Sequence, residues 1–137
     1  PAFAAYRAAF EPSQDFPEPR TILCLSVIAA PTEEEAKYLS SSQAVNWARF
    51  LTGEQRQLTP PEEALAHRLT PQQEQIIAHQ SSLWLIGSAE RMAETITAKA
   101  KEAGADEVMI TTTIHSYDLR RRSFALLAEA LGVTPRG

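Results

Sequence analysis

The segment Gly104-Ala-Asp-Glu-Val-Met-Ile-Thr-Thr-Thr-Ile-His115 decides the fold of this chain. Gly104 ends an amphipathic helix that begins at Gly87-Ser88-Ala89-Glu90, because glycine is favoured directly after a helix. The β-branched run that follows predicts a strand over residues 107–113, and a second helical pattern predicts a helix over residues 116–131. This succession of helix, strand and covering helix is typical of an α/β protein.

A second strand is predicted over residues 21–30, which carry no charge and are rich in leucine and β-branched residues. Such a run is typical of a parallel strand that is buried on both faces, so Cys24 is expected to be a buried, inert thiol. Pro31 ends the strand, and Thr32 with Glu35 forms a capping box that opens a helix reaching about Leu51. Because a long, mostly helical crossover separates the two strands, we expect them to be parallel.

Four stretches of the chain resemble, in the same order, the C-terminal portion of the bacterial luciferase-like flavin-dependent monooxygenases. They are the opening Tyr6-Arg-Ala-Ala-Phe-Glu-Pro-Ser13, the junction Val27-Ile-Ala-Ala-Pro-Thr-Glu-Glu-Glu-Ala36, the helix start at Gly87 and the Gly104–His115 segment. The resemblance implies a (β/α)8 TIM barrel. Such a barrel needs roughly 250 residues, so this chain would supply only the last two βα units, as one domain over residues 1–137.

The resemblance also implies an activity. Proteins of this family bind reduced FMN, which a separate flavin reductase supplies, and use O2 to oxygenate a small organic substrate. Much of their flavin contact comes from strands upstream of the part seen here. FMN binding by the isolated chain is therefore expected to be weak or absent, and the chain alone to be inactive. The alternative is a non-catalytic βα module without its own flavin site. Under both readings the free strand edges predict a homo-oligomer.

Candidate site residues lie where the two strands end, since the loops after barrel strands build the active face. Thr112, Thr113 and His115 follow the second strand, and Ala30 and Thr32 lie at the end of the first. These residues are candidates for contacts to a flavin or a substrate, although a threonine-rich strand is also ordinary β chemistry. No residue is assigned a catalytic role.

Two further features could hold a phosphate. Ser88 lies at a helix start, where backbone N–H groups favour anions, although helix capping explains it equally well. Arg120, Arg121 and Arg122 follow one another in the last helix and therefore point in different directions, so solvation or pairing with acids is the simpler interpretation. His67, His79 and His115 lack metal-ligand spacing, so no metal is predicted.

The amino-acid composition limits the classes of partner that the chain is expected to bind. The formal net charge is −4, with acidic and basic residues interspersed, which is not the basic footprint that nucleic acids or anionic membranes require. The longest apolar run, residues 22–30, is far shorter than the roughly 20 residues that span a bilayer. We therefore expect a cytoplasmic protein that binds neither nucleic acid nor membrane.

Overall fold

The computed structural model describes residues 2–134; Pro1 and residues 135–137, which include both ends of the expected domain, lie outside the described residues. Over this part the elements follow in the order α1 (Ala2–Ala9), β1 (Ile22–Ala30), α2 (Glu33–Leu51), α3 (Pro61–Ala66), α4 (Pro71–Ser81), β2 (Trp84–Ser88), α5 (Ala89–Ala103), β3 (Glu107–Thr111) and α6 (Tyr117–Ala130). The chain is an α/β protein, as the sequence predicts.

The strands form a parallel sheet in the order β2-β1-β3. Residues 22–26 of β1 pair with β3, and residues 26–30 pair with β2. The predicted parallel relation of the first and last strands is confirmed. The prediction of two strands was wrong, because β2 is a third strand that the sequence pattern did not reveal. The last strand also ends at Thr111 rather than Thr113.

Both faces of the sheet carry core residues, because side chains alternate along β1. On one face, Val27 and Ala29 share a cluster with α5 and α6. On the other face, Ile28 and Ala30 share a cluster with Ala36 and Leu39 of α2. Helices α2 and α5 therefore lie on opposite sides of the sheet. The connection from β2 to β3 crosses over β1, which lies between them in the sheet, so the strands are not arranged in chain order.

The amino-terminal half of β1 is exposed on the α2 side. Ile22 is 50% exposed, Cys24 is exposed, and Met109, which pairs with Cys24 on β3, is 52% exposed. The predictions of a strand buried on both faces and of a buried thiol were therefore wrong. The reason is that the cluster formed with α2 covers β1 only at Ile28 and Ala30.

A polar network lies at the amino-terminal edge of the sheet, where β1 and β3 begin. The Asp106 carboxylate accepts hydrogen bonds from the Thr21 N–H at 2.8 Å, the Thr21 hydroxyl at 2.8 Å and the Arg7 guanidinium at 2.9 Å. Arg7 also donates to the Gly104 carbonyl at 2.7 Å. The Thr21 bonds, followed by the Arg7 bond, hold the pKa of Asp106 below its ordinary value. This network ties α1 to the starts of β1 and β3.

Candidate functional site

An ion pair between the first turns of α2 and α5 lies at the carboxyl-terminal edge of the sheet. The Glu33 carboxylate, in the first turn of α2, accepts hydrogen bonds from the Ser88 N–H at 2.9 Å and from Arg91 Nε at 2.7 Å. Arg91 Nη2 donates to the second Glu33 oxygen and, at 2.7 Å, to the Ile86 carbonyl. The Arg91 bond, and then the Ser88 backbone bond, lower the pKa of Glu33.

This arrangement accounts for the hydrogen bonds of Ser88 without a bound anion. Its hydroxyl accepts a hydrogen bond from the Arg91 N–H at 3.4 Å, as a helix cap does, and its own N–H is taken by Glu33. The negative charge that the start of α5 favours is thus supplied by the protein. The neighbouring Gly87 leaves room for this pair, because a Cβ there would lie 2.9 Å from both Arg91 Nε and Glu33 Oε1 and would push these side chains aside.

Three of the five predicted site residues have structural partners. The Thr32 hydroxyl caps α2 by accepting from the Glu35 N–H at 3.1 Å. The Thr112 hydroxyl donates to the Val27 carbonyl at 2.9 Å and so fastens the end of β3 to β1. Ala30 is 2% exposed and belongs to the core on the α2 side.

His115 lies in a different environment. It is exposed and lines a cleft of about 500 Å³, whereas Thr113, two residues earlier, is half-buried. The rest of the cleft comes from the end of α2, the segment after it and the start of α3, through Arg49, Arg56, Gln57, Leu58, Thr59, Pro60 and Glu63. The predicted residues therefore do not converge: His115 opens into the cleft, and Thr32, Thr112 and Ala30 do not line it.

Arg49 is the half-buried cation of this cleft. Its Nη1 donates to the Thr59 hydroxyl at 2.6 Å, and its Nη2 lies 3.2 Å from His67 Nδ1. A guanidinium can only donate, so His67 Nδ1 must accept. Arg49 Nε and His67 Nε2 are buried without a hydrogen-bond partner within residues 2–134. The sequence analysis missed Arg49, Arg56 and Thr59, because no motif joins them to the strand ends.

Acidic side chains of α3 border the same cleft. Glu63 lines it, and the neighbouring Glu62 accepts a hydrogen bond from the Tyr38 hydroxyl. The Tyr38 bond is the main reason that the pKa of Glu62 is lowered, and the charge of His115 lowers it further. His115 therefore lies within electrostatic reach of α3.

The three arginines of α6 do not form a joint binding site. Arg122 pairs with Glu35 of α2 at 3.1 Å. Arg120 and Arg121 lie 5.5 and 5.9 Å from the centre of the Tyr117 ring. In the described part of the chain, no group of three or more His, Cys, Asp or Glu residues is placed to hold a metal ion, and no helix there is long and apolar enough to cross a membrane.

Comparison with known proteins shows what the chain is similar to. No family model matches the chain. It is 30% identical over 129 residues to the uncharacterized protein YvbT of Bacillus subtilis strain 168, covering 94% of this chain and 38% of YvbT. It is 27% identical over 125 residues to a luciferase-like monooxygenase of Escherichia coli K12, covering 91% of this chain and 37% of that protein. The chain is a relative of the luciferase-like monooxygenases. The resemblance seen in the sequence is thereby confirmed.

A solved structure agrees with this assignment. The crystal structure of apo-MsnO8 superimposes with a TM-score of 0.82 at 34% identity, covering 98% of this chain and 41% of that one. The chain thus spans well under half the length of the proteins that it matches.

Proposed function

We propose that this chain forms the carboxyl-terminal part of a flavin-dependent monooxygenase, in which reduced FMN and O2 oxygenate a small organic substrate. The observation that carries the proposal is the similarity, over 91% of the chain, to the luciferase-like monooxygenase of Escherichia coli. A flavin reductase that delivers reduced FMN is the partner that such chemistry requires.

The proposal includes a partial (β/α)8 barrel. Two observations support it: β1 and β3 pair in parallel, and β3 has no strand on its outer side within residues 2–134. The position of β2, on the other side of β1, departs from a barrel, whose strands follow chain order. Next to the free edge of β3 lies an apolar groove of about 690 Å³, lined by α5, α6 and the side chains Val108 and Ile110. The next strand and helix of a barrel would pack in this groove and pair with β3.

The described residues could contact the polar groups of a flavin but not hold its ring. The cleft at His115 offers guanidinium groups and hydroxyls, but its apolar lining is limited to Leu58 and Pro60. An isoalloxazine ring needs a larger apolar platform, as most cofactor sites provide. These residues therefore do not form a ring site. FMN binding by this chain alone should be weak or absent.

Within this proposal, His115 and Thr113 are the candidates for direct ligand contacts. The His115 ring is exposed at the cleft, and the Thr113 hydroxyl makes no side-chain hydrogen bond within the described residues. The hydroxyls of Thr112 and Thr32 already have partners, so these residues would shape the site rather than bind. Ala30 would contribute only packing.

A chimaera tests the proposal. Residues 1–137 replace the matching segment of the Escherichia coli luciferase-like monooxygenase, and the product is checked for folding by circular dichroism. Binding of reduced FMN with FMN-dependent O2 consumption, at the level of the parent protein, is the expected result. A folded chimaera that binds no flavin, while the parent binds it, would contradict the proposal.

The alternative function is a self-associating module without catalysis. The exposed apolar side chains of Ile22 and Met109, beside the free edge of β3, are the observation in its favour. The two functions differ in the chimaera, since a module without a catalytic role would not sustain flavin-dependent O2 consumption.

A further inference from the structure

We propose that the cleft lined by Arg49, Arg56 and His115 binds an oxyanion, the carboxylate or phosphate group of a ligand. The proposal starts from an unbalanced charge. Arg49 is half-buried, yet no ion pair within residues 2–134 involves it. A partly desolvated cation without a counter-ion is costly, and an anion entering the cleft would remove that cost.

Arg49 is already oriented for this role. The Thr59 hydroxyl and His67 Nδ1 each hold one terminal nitrogen of its guanidinium. Two of the five guanidinium N–H groups are used in these bonds, so donors remain for a ligand. A side chain held in place in this way loses little further entropy on binding.

The surrounding charges favour an anion. Arg56 is exposed and only loosely paired with Glu54, at 3.9 Å, so it is free to turn towards a ligand. Glu63 is the acidic residue in the cleft lining, and it faces two guanidinium groups. Glu62 does not line the cleft, and its carboxylate accepts a hydrogen bond from the Tyr38 hydroxyl. The lining therefore keeps a net positive charge, since it holds two guanidinium groups and one carboxylate.

The ligand class follows from the guanidinium fork, which matches the two oxygens of a carboxylate or phosphate. One residue of the lining, His115, follows the carboxyl-terminal end of β3, and ligands of α/β proteins commonly bind at that side of the sheet. The inference concerns an anion site on this chain and does not depend on flavin chemistry.

The test is an NMR titration of the 137-residue chain with inorganic phosphate and, separately, with acetate, at constant ionic strength set with chloride. The arginine Nε–H and His115 ring signals report binding. We expect saturable shifts for at least one anion.

Arg56→Gln should weaken binding by about tenfold, since hydrogen bonds to charged groups are the strong ones. Glu63→Gln should strengthen it. Arg20→Gln, which removes the same charge from the exposed far edge of the sheet, is the matched control and should change nothing.

Shifts that rise without saturation for both anions would overturn the proposal, as would equal weakening by Arg20→Gln and Arg56→Gln. Arg49→Gln should abolish binding. Because this variant also loses the Thr59 and His67 contacts, its backbone amide spectrum is recorded first, and Arg49→Lys, which keeps the charge but not the fork, is measured beside it. Competition by FMN but not by riboflavin would assign the anion to the flavin phosphate. Saturable binding of acetate that FMN does not compete with would assign the site to a carboxylate ligand.

Discussion

Glu33 and Arg91 form a two-point ion pair that joins the first turn of α2 to the first turn of α5 across the carboxyl-terminal edge of the sheet. The pair connects the ends of β1 and β2, because Glu33 also accepts from the Ser88 N–H and Arg91 also donates to the Ile86 carbonyl. The contact thus fixes the spacing of two loops at the edge where the proposed ligand site lies.

Acid should weaken this contact. The folded-state pKa of Glu33 lies below its ordinary value of 4.5, so its stabilising effect is complete above about that pH and is lost as the pH falls through the lowered pKa. Glu33→Gln should therefore lower the melting temperature at pH 7 but change it much less near pH 3. Glu34→Gln, on the same helical turn, is the control. An equal loss at both pH values would contradict the ion pair.

Gly87→Ala should displace the Glu33–Arg91 pair and destabilise the fold by about 1 kcal/mol or less, because the atoms that the added Cβ meets are the ends of exposed, flexible side chains. The added Cβ would lie 2.9 Å from Glu33 Oε1 and from Arg91 Nε, and Gly87 is buried. Urea unfolding measures the cost. If the contact with Arg91 is the cause, the same substitution in an Arg91→Ala background should cost clearly less. An unchanged cost in that background would show that another contact is responsible.

Local signals in the sequence predicted the elements whose ends carry a specific cap. The Thr32 hydroxyl caps α2 as expected, although the Glu35 side chain pairs with Arg122 and does not complete the predicted capping box. Gly104 ends α5 with a left-handed φ of 63°. Thr111 to Thr113 misled the prediction of the strand end, because threonine favours strands whether or not a ladder continues. In the structure, the Thr112 hydroxyl bonds across to β1 after β3 has ended.

Long-range features could not be predicted in the same way. The short strand β2 follows α4 with no glycine or proline between them, so nothing in the sequence marks its start. The exposure of Cys24 depends on how far α2 reaches over the sheet. The cleft joins Arg49 to His115 across 66 positions of sequence (115 − 49), and only the folded chain brings them to one lining.

Arg7→Ala should release α1 from the sheet. None of the residues Ala2–Ala9 is buried, and the Arg7 bonds to Asp106, Thr21 and Gly104 are the polar contacts that hold the helix. Hydrogen exchange of residues 2–9 should become faster, while that of β1 and α5 should change little. Arg20→Ala, which removes an exposed arginine at the same edge, is the control. Unchanged exchange in α1 would show that apolar contacts suffice to hold it.

The free strand edges predict self-association of the isolated chain into a dimer or larger assembly. Met109→Lys places a charge on the outer strand β3, where the side chain is 52% exposed, and should shift the protein towards monomer in sedimentation velocity runs at micromolar concentration. Leu65→Lys, at an exposed position of α3, should leave the assembly unchanged. A compact, folded monomer of the unaltered chain at these concentrations would refute the prediction.

His115→Ala should lower the activity of the full barrel, tested in the chimaera with the Escherichia coli relative. If the imidazole hydrogen-bonds the reacting flavin or the substrate, the loss in rate should be about tenfold or more, because one such bond is worth about 1.5 kcal/mol. His79→Ala, an exposed histidine on α4, is the matched control. Flavin binding is measured in the same samples, so that a lost contact to the flavin is distinguished from a lost contact to the substrate. Equal activity of the His115→Ala and His79→Ala proteins would remove His115 from the site.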